Sequence, residues 1–169
     1  MKKILILLSV FFFIGFQLSA QSDAAKRKSP IKVTEEKIGD VKLKIIYSSP
    51  AVNDREIYGH LVPYSKVWRA GANEATTIEF SRPVRINGKK LDAGKYSFFV
   101  IPNRTEKWTI IFNTKSNQWG AFSYDNSQDA LRTETDVKRI DKVENLTYGI
   151  ENNYVFLDWE NKRILFKVD

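Results

Sequence analysis

The stretch YGHLVPYSKVWRAGANEATTIEF, from Tyr58 to Phe80, holds His60, the one histidine of the chain, close to Tyr64, Trp68, Arg69, Asn73 and Glu74. Two aromatic faces, a guanidinium, a carboxamide and a carboxylate are the usual composition of a small-molecule site, where rings stack on a ligand and a few polar groups orient it. Trp119, in QWGAFSYD, follows a polar turn and precedes a glycine. Its indole is expected at a rim, where it could stack on the flat face of a sugar. The candidate ligand-binding set is therefore Tyr64, Trp68, Arg69, Asn73, Glu74 and Trp119. A structural reading uses the same groups: Arg69 grips Glu74 through two parallel bonds across Gly71, Asn73 bonds the backbone of the turn, and Trp68 caps the core. Arg69 and Glu74 are expected to bond each other or to share one polar partner, because an isolated buried carboxylate is costly. One cation matched by one anion suits a neutral polar ligand, such as a glycan or a peptide-like fragment.

Other chemistry finds fewer groups. With one histidine and no cysteine, a zinc site would have to lean on His60 and carboxylates, and a Ser-His-acid triad would need His60 as well. No Gly-x-Ser-x-Gly elbow is present. DNSQDA spaces Asp125, Ser127 and Asp129 like the start of a calcium loop, but it lacks the glycine after the third ligand, and Asp136 stands where a distal Glu is required. It reads as a polar turn. A hydrolase acting through Glu74 with Asp125 or His60 ranks third among the functions weighed, so no catalytic residue, metal ligand or cofactor is assigned.

The elements that must position these groups are strands. From Ile31 onward the pattern has period two with frequent turn signals, and no long stretch has helical spacing. Val41, Leu43, Ile45 and Tyr47 form one apolar face. Asn87-Gly88 supplies the two positive φ angles of a type I′ hairpin. KYSFFVI, Lys95 to Ile101, is apolar at nearly every position and is expected to be covered on both sides, with Trp108, Ile110 and Phe112 on one face of the next strand. YVFLDWENKRILFKV reads as a hairpin around Asn161, with Val155, Leu157 and Trp159 on one arm and Ile164, Phe166 and Val168 on the other. Ile78 and Phe80 should point to the core, and parity carried back from them places Thr76 and Glu74 on the inward side. Pro63, with Tyr64, Val67 and Trp68 at i, i+3 and i+4, predicts one helical turn over residues 63–69, ended by Gly71 in the left-handed conformation. LDAGKY, Leu91 to Tyr96, has the spacing of a tyrosine corner, or is simply a turn before a strand. The expected fold is all-β: a single antiparallel β-sandwich, Greek-key or jelly-roll-like, over residues 31–169.

LVPYSKVWRAGANEATTIEF, followed by INGKKLDAGKYSFFVIP, WTIIFN, QWGAFSYD and ALR, resembles a family of exported bacterial proteins called domain of unknown function 2911. That family typically shows a Val-Pro-Tyr-x-x-Val-Trp-Arg-x-Gly-Ala-Asn-Glu-Ala-Thr block and a Leu-x-Ala-Gly-x-Tyr turn. The resemblance runs from Val41 to the C-terminus and implies a small exported domain without an established activity. His60 stands where many relatives have glycine, which argues against a shared catalytic histidine.

Lys2 and Lys3, the apolar run Ile4 to Phe16 and Leu18-Ser19-Ala20 make residues 1–20 an expected signal peptide, cleaved near Ala20. A polar stretch, residues 21–30, then reads as a flexible tether. Losing Lys2 and Lys3 lowers the formal charge from +7 to +5, and the remaining cations are dispersed apart from Lys26 to Lys28. That distribution argues against a nucleic-acid partner. No membrane span is expected after cleavage, and the location is periplasmic or extracellular. The leading expectation is a non-catalytic ligand-binding domain for a neutral glycan or another envelope component. An interaction or scaffold domain ranks second.

Overall fold

Alternation becomes strand wherever one face finds a core. The computed structural model describes residues 27–169; the expected signal peptide and residues 21–26 lie outside the described residues. Nine strands follow: β1 Ile31–Ile38, β2 Val41–Ser48, β3 Thr77–Phe80, β4 Val84–Ile86, β5 Lys89–Leu91, β6 Gly94–Ile101, β7 Lys107–Asn113, β8 Asp129–Glu151 and β9 Tyr154–Lys167. Seven form one antiparallel sheet in the order β1-β2-β3-β6-β7-β8-β9, and β4 and β5 form a second, small sheet. The fold is thus all-β and antiparallel. Its large sheet is a meander in which neighbours in space follow chain order, with the β4–β5 hairpin inserted.

The sheet curls. β8 runs for 23 residues, and its pairing with β9 shifts register between Arg139 and Val143 and again before Thr147; such irregularities bend a strand and increase its twist. The bent half of β8 returns to the segment after β2. There Val52 N donates to Glu144 O at 2.8 Å and Leu146 N donates to Pro50 O at 2.9 Å, forming a bridge between Ala51 and Asn145. The small sheet is joined to the end of β9: Arg85 and Asp169 exchange main-chain hydrogen bonds of 2.7 and 3.0 Å. The Asn87 side chain donates to Glu134 O and accepts from Lys167 N, both at 2.9 Å.

Leu43, Ile45, Ile78, Phe80, Phe98, Trp108, Ile110, Phe112, Leu157 and Phe166 fill the interior. β6 is covered on both sides, as its unbroken apolar run requires. Phe98 and Val100 face the main core, while Phe99 packs with Ala75 and Ile111 in a small outer cluster roofed by Ala121 and Tyr124. Asn87 and Gly88 have φ of 48° and 81°, the expected type I′ turn. Tyr96 closes a tyrosine corner, its hydroxyl donating to Asp92 O at 3.0 Å. Tyr96→Phe is expected to lower stability by about 1 kcal/mol, measured by denaturant unfolding; an unchanged midpoint would show that the tie contributes nothing.

Two local expectations are corrected. Residues 63–69 form no helical turn, and the one helical turn among the described residues is the 3-10 turn Asn126–Gln128. Trp68 exchanges main-chain hydrogen bonds with Val100 at 2.8 and 2.9 Å, so it is held extended against β6, and Ser65 bends the chain with φ of 61°. Gly71 is not left-handed; Ala70 and Asn73 are, with φ of 51° and 56°. Glycine is needed at 71 for space, because a Cβ would lie 2.9 Å from Thr76 Oγ1 and 3.1 Å from Ser48 O. The second correction concerns Asn161, which turns no hairpin. β9 is continuous, with an irregularity at Glu160 (φ 55°), and the turn before it uses Asn152 and Asn153, with φ of 48° and 64°. Asparagine tolerates that region better than most residues.

Candidate functional site

The connection between β2 and β3, residues 49–76, carries the site. Its fixed point is Ala70, whose carbonyl accepts from Thr76 Oγ1 at 3.0 Å and from Tyr148 Oη at 2.9 Å. Tyr148 is itself buried against Tyr47, ring centroids 4.7 Å apart. These bonds hold the residues on either side of Ala70 in place and so aim Trp68 and Arg69.

Trp68 stacks on Trp159 with centroids 5.8 Å apart and planes inclined by 19°, and its indole N–H donates to Gly71 O at 3.2 Å. Tyr58 meets both indoles edge-on, at 6.2 and 6.3 Å. Beside this stack lies a groove of about 400 Å³, within the range of small-molecule sites. Trp68, Trp159, Arg69, Lys28, Arg55 and Lys66 line it, and among the described residues no carboxylate does. Arg55 is pinned from behind, donating to Val52 O at 2.9 Å and to Ala51 O at 2.5 Å.

Arg69 and Glu74 are not partners. Glu74 is bound by both terminal nitrogens of Arg27, one at 3.1 Å, and by Ser48 Oγ at 3.4 Å. The hydrogen bond from Arg27 holds its carboxyl below the usual carboxylate range. Glu74 is half-exposed rather than inward, because residues 73–75 leave the β3 register to pair with the loop at 118–120. Arg69, in contrast, has no ion pair among the described residues. Desolvation lowers its pKa, and its Nε is buried without a hydrogen-bond partner. Two more buried side-chain polar atoms among the described residues share that condition: Tyr58 Oη and Trp159 Nε1. The rings of Tyr58 and Trp159 both pack on Trp68, and Arg69 follows it in the chain.

The candidate residues thus fall into three places. Trp68 and Arg69 line the groove. Asn73, Glu74 and Trp119 form an adjoining bridge, in which Asn73 O accepts from Gly120 N at 3.0 Å and Trp119 is left 56% exposed. Arg69 spans the two, since a Cβ on Gly120 would stand 2.9 Å from its Nη1. Tyr64 is apart, under the Arg104 guanidinium 5.1 Å from its ring centroid and in a smaller cleft with Tyr58. His60 is exposed. Asp125 caps the 3-10 turn, accepting from Ser127 N and Oγ at 2.9 and 2.7 Å. Asp129 accepts from Tyr124 Oη at 2.6 Å and Asn113 Nδ2 at 2.9 Å. The calcium-like spacing therefore serves protein donors.

Four lining residues, Lys28, Arg55, Lys66 and Trp159, were missing from the candidate set. Trp159 reads in sequence as a core strand residue, which at 1% exposure it also is. Lys28 belongs to the expected tether, yet Arg27 to Pro30 are held on the domain: Arg27 by Glu74, and Pro30 by Ser49 N, which donates to its carbonyl at 2.9 Å.

Fold and groove together define a small all-β domain, a curled antiparallel sheet with a basic, tryptophan-walled groove beside the seam where β8 closes on the segment after β2. The family it belongs to is that of proteins of unknown function DUF2911, whose profile matches residues 29–168. No curated protein and no solved structure matches the chain.

Proposed function

We propose that the chain is an exported, non-catalytic ligand-binding domain of the cell envelope, periplasmic or extracellular, whose ligand seats in the groove against Trp68. One observation carries this reading: a stacked indole pair and a half-buried arginine with no ion pair among the described residues line one groove. A cation held partly out of water without a counter-charge is costly, so Arg69 points to a partner that binds there. The stacked indoles offer it an apolar wall. Lys2, Lys3 and the apolar run Ile4 to Phe16 support export. The neutral ligand expected from an Arg69–Glu74 pair loses its basis, since Glu74 belongs to Arg27.

Intrinsic tryptophan fluorescence in a screen of glycans, muropeptides and other envelope fragments tests the reading. A saturable response is expected, lost in Trp68→Ala and in Arg69→Gln but retained in Trp119→Ala, whose indole lies outside the groove. Turnover of the responding compound would replace binding with catalysis. A response that survives both groove variants would move the site elsewhere, and loss only in Trp119→Ala would favour the exposed rim and a scaffold role.

A further inference from the structure

We infer that the ligand of this groove carries an oxyanion, a carboxylate or a phosphate, received by Arg69 within a field set by Lys28, Arg55 and Lys66. The inference rests on the ligand-binding reading above and adds the chemical class. Four cations and no carboxylate line the groove among the described residues, a one-signed arrangement that concentrates anions. Glu56 and Glu160 line the adjoining cleft and not this groove, and three other acids nearby are engaged. Glu74 is bound by Arg27 and Ser48, Glu144 accepts from Asn53 N at 2.8 Å, and Asp54 lies 3.7 Å from Lys142.

Arg69, half-buried on the wall of the groove, carries only N–H donors and no acceptor. Its complement is a group made of acceptors. The Arg69 guanidinium is also set in place. Gly120 leaves room for its Nη1 where any other residue would put a Cβ, and desolvation of the unpaired cation lowers its pKa. A cation kept partly out of water with no counter-ion is a poor structural device, because removing it relieves a desolvation penalty. It is a good anion receptor, since guanidinium forks match carboxylate and phosphate geometry.

A matched pair of sugars tests this on the full exported chain. N-acetylmuramic acid differs from N-acetylglucosamine by a lactyl carboxylate, and inorganic phosphate supplies the other oxyanion. At least one of the two anions is expected to bind about tenfold or more tighter than the neutral sugar, with affinity falling as salt rises. Response to the muramic acid alone identifies a carboxylate, and response to phosphate alone a phosphate. Arg69→Gln should weaken anion binding by about tenfold or more, and Arg69→Met should leave the melting temperature of the unliganded protein unchanged or raised. Equal binding of the neutral sugar, lost in Trp68→Ala, would overturn the anion while keeping the groove as a ligand site. No response to either anion at millimolar concentration would overturn it too, as would a lowered melting temperature in Arg69→Met, which would mark the residue as structural.

Discussion

Phe98→Ala is expected to destabilise the protein by about 3–5 kcal/mol, the range for truncating a fully buried aromatic. Phe98 is 1% exposed at the centre of β6, with the rings of Phe112, Phe166 and Tyr148 at centroid distances of 5.3, 5.5 and 6.3 Å. Those neighbours sit on three different strands, β7, β9 and β8. Each is pinned by its own ladder, so the cavity has little chance to collapse. Domains of this kind have about 5–15 kcal/mol in total, which makes this single truncation a large fraction of the whole. Chemical denaturation with an unchanged slope and a shifted midpoint would register the loss. A shift equivalent to less than about 1 kcal/mol, the value of an ordinary substitution, would mean that the site repacks and that the interior is less tightly determined than the ring distances imply.

Arg163→Ala should cost about 2–4 kcal/mol, somewhat under the 3–5 kcal/mol for breaking a fully buried pair because Arg163 is partly open to solvent. Its Nε and Nη2 donate to the two carboxylate oxygens of Asp158 at 2.8 and 2.6 Å, a planar fork on β9. Asp158 is only 7% exposed, so removing the arginine leaves its charge without a close counterpart. The guanidinium also lies 4.2 Å from the centroid of Phe156, whose ring rests on Gly149 of the neighbouring strand; a Cβ there would come within 2.2 Å of it. The double change Asp158→Leu with Arg163→Met removes the charge and keeps a long side chain over the ring. It is expected to recover most of the loss, because a buried ion pair replaced by apolar residues is often neutral. A double variant as unstable as the single one would show that packing, and not the stranded carboxylate, carries the cost.

Much of the sheet was legible because its information is local. Leu43, Ile45 and Tyr47 alternate with Lys42, Lys44, Ile46 and Ser48, a mainly polar set, and are buried; Asn87-Gly88 makes the turn its φ preferences demand; Tyr96 ties back to Asp92. What escaped depends on groups far apart in the chain. Tyr64, Val67 and Trp68 have helical spacing, but a strand edge at Val100 offered Trp68 two hydrogen bonds, and tertiary pairing overrode local propensity. Arg69 is the cation nearest to Glu74 in sequence, yet the partner of Glu74 is Arg27, 47 residues away. In the groove, Trp68 and Arg69 stood out as a pair of adjacent site-like residues. Trp159 carries the same apolar alternation as any core strand position, so nothing in its neighbours distinguished a wall of the groove from the middle of the core.

The bridge between Ala51 and Asn145 also has a bearing on the order in which the molecule assembles. Its ends stand 94 residues apart (145 minus 51), whereas most of the large sheet is built by neighbours adding to neighbours. Closing a loop of that length costs about 2–3 kcal/mol more entropy than closing a five-residue hairpin. The contact is therefore a poor place to begin folding and a natural place to finish. Pro50 and Ala51 of that seam line the groove together with Trp159. The recess is complete only when the ring closes, so a ligand held there adds its binding free energy to the closed state alone, acting as a clasp on the last contact to form.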